Sequence, residues 1–154
     1  MEAFNFASNA GSFIVERLIG VATAPDGGWL VSEAGAGRVV KLTGSGAHPV
    51  AAELGCPQGI LVDGRQLYVV DAGAKTLVVV DLEDSKTHTI ASGLPVGAAP
   101  GVVPKPLKGM PPFSGPQGPF AGIAAGPDGT LYVSADADGS VLAFRREPRE
   151  ANHD

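Results

Sequence analysis

An all-β fold assembled from three copies of one antiparallel unit is the prediction for this chain, and three observations carry it. The stretch "GIAAGPDGTLYVSADADGSVLAF" at 122–144 recurs as "GVATAPDGGWLVSEAGAGRVVKL" from Gly20 and as "GILVDGRQLYVVDAGAKTLVVVDL" from Gly59. Within each copy, short apolar runs alternate with glycine-containing turns, which is the spacing of strands and hairpins. No window holds a helical period over three turns, and 22 glycines with 13 prolines weigh against long helices.

The copies align closely enough to fix a period. Gly20, Asp26, Gly27, Val31, Ser32, Gly37 and Val39 fall without a gap on Gly122, Asp128, Gly129, Val133, Ser134, Gly139 and Val141, a shift of 102. Leu67, Tyr68 and Val69 fall on Leu131, Tyr132 and Val133 at a shift of 64, and the first two copies lie 38 apart. The unit is therefore roughly 40 residues long. In the last copy an apolar run, Gly122 to Ala125, precedes a Pro-Asp-Gly turn. Leu131 to Ser134 forms the second strand, and Asp138-Gly139 turns the chain into a third, Val141 to Phe144. Gly139 supplies the positive φ such a turn demands. In the middle copy "KTHTIASGL" adds a fourth strand. Four short antiparallel strands in about 40 residues are the pattern of a β-propeller blade.

The units are thus expected at about 20–50, 59–94 and 122–146, within a three-blade body spanning 12–146 and followed by a charged tail at 147–154. Alternate strand positions that repeat as apolar place Leu30, Leu67, Val69, Leu77, Val79, Leu131, Val133 and Val141 between blades.

Composition narrows the partners. The formal net charge of −5 and the lack of a basic stripe with interleaved aromatics speak against nucleic acid. No apolar run approaches the roughly 18 residues of a membrane span, and "MEAFNFASNAG" lacks the basic and apolar segments of a secretory leader. Cys56 is the single cysteine, so no disulfide forms within the chain, and a cytoplasmic location fits best.

The run Pro57-Gln58-Gly59-Ile60, then "DG", then "LYVVDAG" and an apolar strand resembles the NHL repeat. The three hairpins resemble those of the wider six-bladed propeller superfamily, which includes the gluconolactonase and senescence-marker group. In that group the resemblance would imply a lactonase with a divalent cation, usually calcium, held by Glu, Asn and Asp. Here asparagine occurs only at Asn5, Asn9 and Asn152, so no metal ligand carries over. Two functions stay open: a non-catalytic binding or scaffold module with its ligand or partner at the channel mouth, and a gluconolactonase-like hydrolase with a divergent site. The first needs no cofactor, whereas calcium belongs to the second alone.

Candidate contacts are few. Glu33 and Asp71 end the second strand of their units, where an acid either orders the next turn or lies near a channel mouth. Asp136 and Asp138 in "SADADGS" faintly resemble a calcium loop, but a hairpin turn explains Asp138-Gly139 without metal. His48 is expected in a loop, and His88 on an outer strand. No catalytic grouping is visible. The repeat is broken between its second and third units, where the shift of 64 rather than 38 leaves 26 extra residues holding eight of the thirteen prolines. This Pro-rich insertion, 95–119, is expected to present Lys105, Lys108, Met110 and Phe113 either as a surface loop or as a lid or partner contact.

Three blades leave two apolar faces bare, whereas propellers close with four to eight. "GSFIVERLIG" at the start resembles the fourth strand of the middle unit, which the last unit lacks. The expectation is a homodimer forming one six-bladed ring, residues 12–18 of each chain completing the last blade of the other; the rival is that the chain is half of a longer protein in which the same strand closes a preceding blade.

Overall fold

The computed structural model describes residues 18–105, 108–110, 112 and 120–145. All regular structure among them is β: eleven strands in three antiparallel sheets. The first sheet runs in chain order through β1 (Leu18–Thr23), β2 (Trp29–Glu33), β3 (Arg38–Thr43) and β4 (Gly46–Ala51). The second repeats it with β5 (Pro57–Asp63), β6 (Gln66–Asp71), β7 (Thr76–Asp81) and β8 (Thr87–Ala91). The third holds β9 (Ile123–Ala125), β10 (Leu131–Ala135) and β11 (Ser140–Phe144), with no fourth strand among the described residues.

Register confirms that the sheets are copies. Val31 pairs Val40, Val69 pairs Val78 and Val133 pairs Leu142, each at the same place in its hairpin. The innermost strands align too: Val21, Ile60 and Ile123 lie opposite Val31, Val69 and Val133. Gly37 (φ 64°) and Gly139 (φ 76°) occupy the left-handed turn that joins second and third strands. In the second blade Lys75 adopts the same conformation (φ 56°), a backbone cost that another interaction must offset.

Blades stack through alternate faces. Leu30 and Val39 of the first blade pack on Ile60, Leu67, Val69 and Val80 of the second. Tyr68, Val70 and Leu77 on the second blade's other face pack on Leu131 and Val133 of the third. Six of the eight expected core positions, Leu30, Leu67, Val69, Leu77, Leu131 and Val133, are buried. Val79 is half-buried against the second cluster. Val141 is 68% exposed, contrary to expectation, because it lies on the face of the third blade that has no neighbour among the described residues.

Three further expectations change. His48 lies in β4, paired with Lys41, rather than in a loop; Gly46 and Pro49 are tolerated because this is the outer strand of its sheet. Leu18, the last residue of the supposed exchanged strand, opens β1 of its own first blade; 12–17 lie outside the described residues, as does the tail at 147–154. The insertion also begins inside the fold: Val96, like Leu94 just before it, is buried between the second and third blades, and only beyond it do Val102 and Val103 become exposed.

Candidate functional site

The acids at the ends of the second strands share one task. Asp71, 2% exposed, accepts four backbone N–H groups: Oδ2 takes Gly55 (2.8 Å), and Oδ1 takes Cys56 (2.8 Å), Gly73 (3.0 Å) and Ala74 (3.1 Å). The first two belong to the segment entering the blade, the others to the turn leaving β6. Its carboxylate therefore ties the start of β5 to the end of β6, by charge-assisted bonds that are stronger than neutral ones. The third blade moves the acid by one residue. Ala135 stands at the aligned position, and Asp136 Oδ1 accepts the Gly97 N–H (2.9 Å) of the segment entering that blade. Lys75 braces the same segment, its Nζ donating to the carbonyls of Val96 (2.6 Å) and Ala98 (3.0 Å).

Glu33, fully buried, belongs to the same set but is differently partnered. Oε2 accepts the Arg38 Nε–H, and the guanidinium is held above its usual range chiefly by that bond. Oε1 is buried and has no hydrogen-bond partner among the described residues. Asp138 does local work: its Oδ1 accepts the Ser140 hydroxyl (2.6 Å) and N–H (2.9 Å), which hold its carboxyl below the ordinary aspartate range. The turn reading of Asp138-Gly139 thus has its hydrogen bonds.

The expected contacts are distributed over the three blades and the insertion. Asp71 and Glu33 end the second strands of two blades, Asp136 directly follows that of the third, and Asp138 bonds within its own turn. Lys105 and Lys108 are exposed on the insertion, Met110 is 68% exposed, and Phe113 lies outside the described residues. His48 and His88 are exposed at matching outer-strand positions, opposite Lys41 and Val79. No group of three or more His, Cys, Asp or Glu side chains among the described residues is placed to hold a metal ion. Asp71 accepts backbone N–H groups at both of its carboxylate oxygens.

Sequence reasoning passed over the contacts that join the blades. The Ser32 hydroxyl accepts the Gly20 N–H (2.7 Å) in its own blade and donates to the Gln58 carbonyl (2.7 Å) in the next. Gln58 Oε1 accepts the Ala121 N–H (2.7 Å), and the Gly59 N–H donates to the Ala121 carbonyl (2.9 Å). In the third blade Ser134 accepts the Gly122 N–H (2.7 Å), as Ser32 does from Gly20. The signal was present: the alignment set Ser32 on Ser134 and a glycine at the head of each unit.

One blade face stands out against its twin. On the second blade Tyr68 and Leu77 are 3% and 0% exposed; the aligned residues of the third, Tyr132 and Val141, are 40% and 68% exposed. At the other end of the stack, Val21 (65%) and Trp29 (47%) are exposed on the first blade, beside a small buried cluster of Val31, Val40 and Leu42.

Neither a protein-family model nor a curated protein sequence matches the chain. Solved structures do. An oxidoreductase of Thermus thermophilus described as a glucose dehydrogenase is 20% identical with a TM-score of 0.59, over 85% of this chain and 44% of its own. The virginiamycin B lyase of Staphylococcus aureus is 17% identical with a TM-score of 0.52, over 87% of this chain and 43% of its own. A chain of the nidogen/laminin complex is 18% identical with a TM-score of 0.52, over 84% and 48%. At such identities the likeness concerns fold and not chemistry. This chain spans less than half the length of each of these proteins. By sheet topology, register and these likenesses, it consists of three blades of a β-propeller.

Proposed function

We propose that the chain is a non-catalytic propeller module, a binding or scaffold unit that takes a small ligand or protein partner at the channel mouth. In this reading two copies complete a six-bladed ring. The observation that supports it is the use made of the acids. Asp71 and Asp136 are occupied in fastening backbone, and a carboxylate that already accepts N–H groups is a poor metal ligand or general base. The open faces support the ring: Tyr132 and Val141 are exposed where Tyr68 and Leu77 are buried. The hydrolase reading has the shared fold alone in its favour. Metal analysis of the purified chain, combined with a lactone-hydrolysis assay, tests the proposal. It expects neither stoichiometric calcium or zinc nor turnover; about one ion per chain, with turnover abolished by a chelator, would overturn it.

A further inference from the structure

We infer that Gly122 and Ser134 form a seam that receives the Ile19 carbonyl of a second copy of this chain. The inference rests on the ring reading above and names the atoms of its joint. Two seams within the chain supply the pattern. The innermost strands align as Ile19-Gly20, Gln58-Gly59 and Ala121-Gly122, since Val21, Ile60 and Ile123 hold the same register against β2, β6 and β10. At the first seam a methyl group on Gly20 would lie 2.4 Å from the Gln58 carbonyl oxygen, the atom to which Ser32 donates. At the second, a methyl group on Gly59 would lie 2.6 Å from the Ala121 carbonyl oxygen. Each glycine is therefore required because the next blade's carbonyl, one residue before that blade's own glycine, comes too close for any side chain.

Gly122 occupies the third such position without the neighbour that would require it. The nearest atoms to an added methyl group are Phe120 Cε1 at 3.3 Å and Ser134 Oγ at 3.5 Å, both side-chain atoms. Ser134 accepts the Gly122 N–H as Ser32 accepts that of Gly20, yet it is exposed, and its hydroxyl hydrogen has no acceptor among the described residues. A glycine and a hydroxyl are thus set for a carbonyl that no described part of the chain supplies. On the same face Tyr132 and Val141 lie open.

The occupant is a second copy because its first blade carries the matching half. Ile19 precedes Gly20 on β1 as Gln58 precedes Gly59, and Val21 and Trp29 beside it are exposed. Two of the matched structures are covered to 44% and 43% of their lengths, an extent consistent with a ring of two such units. About a twofold axis each copy's third blade meets the other's first, and the two seams become identical.

The test is Gly122→Ala in the 154-residue chain, with mass measured by light scattering and sedimentation over a dilution series. The wild type is expected at the mass of two chains. The variant meets only side chains within its own copy, so it folds with an unchanged circular dichroism spectrum. Its dissociation constant rises on the order of a hundredfold or more, since the clash occurs at both seams. Val141→Asp, at an exposed position of the free chain, gives the same result and decides the matter should Gly122→Ala fail to fold. A wild-type dimer that both variants leave intact overturns this seam while leaving the ring reading in place. A wild-type chain that stays monomeric at micromolar concentration overturns the ring reading and the seam with it.

Discussion

Replacing Asp71 by Asn separates an acid that holds backbone from one that serves a ligand. The carboxylate accepts from Gly55, Cys56, Gly73 and Ala74 at 2.8 to 3.1 Å, and it is buried. An asparagine keeps one acceptor oxygen. Placed where Oδ1 stands, it retains three donors as neutral bonds, while its NH2 faces the Gly55 N–H, donor against donor. One charge-assisted bond is lost, worth about 1.5–3 kcal/mol, and three are weakened. The sum is about 3 kcal/mol, a large share of the roughly 5–15 kcal/mol that holds a domain of this kind together. In a chain of this size it corresponds to a fall in Tm of about 6–12 °C. Urea unfolding at pH 7 reads it as a lower midpoint with unchanged slope, at fixed protein concentration because association would otherwise shift the midpoint. Were Asp71 a ligand contact held against its will, the isosteric amide would leave stability unchanged or improve it. A loss below about 0.5 kcal/mol would refute the fastening argument.

Other perturbations test the same architecture. Gly59→Ala places a methyl group 2.6 Å from the Ala121 carbonyl oxygen and should cost about 2–4 kcal/mol in urea unfolding, through overpacking and loss of the Gly59–Ala121 hydrogen bond. Val96→Ala, at a fully buried position, should cost about 2 kcal/mol by the same measurement, whereas a surface-loop residue would cost almost nothing. Lys75→Met removes the ammonium from the Val96 and Ala98 carbonyls at a cost of about 2 kcal/mol. Lys75→Gly should recover part of that loss, because the residue is held at φ 56°. Hydrogen bonds hold Asp26, Asp81, Asp84, Asp128 and Asp138 below the ordinary aspartate value of 3.8 in the folded chain. Folded values below unfolded ones give stability that is present above the ordinary value and lost as pH falls through the folded values. The urea midpoint should therefore hold between about pH 5 and 7 and decline below about pH 4, and Asp128→Asn should flatten that decline.

What the sequence disclosed and what it withheld follow from the reach of the forces involved. Strand alternation and turn chemistry are local, so the three units, their hairpins and six of eight core positions could be read from period and composition. Burial depends on a neighbour, and alternation cannot say which face has one: Val141 repeats Leu77 in sequence, yet lies 68% exposed where Leu77 is buried. Of the two readings left open for the acid at the end of the second strand, the ordering of a turn matches the backbone bonds that Asp71 accepts. The acid's passage from the aligned position of Ala135 to Asp136 was hidden, because a gapless alignment compares positions while the Gly97 N–H selects whichever carboxylate reaches it. His48 was lost to a loop because glycine and proline disfavour interior strands but not outer ones. Ser32, Ser134 and the three unit-heading glycines were visible as identities without a cause. The cause at Gly20 and Gly59 is a carbonyl on the adjoining blade, far away in sequence and in contact in space. Identity at Gly122 without that contact is then informative in its own right: a repeat carries its interface chemistry to positions where the neighbour has to come from outside the described residues.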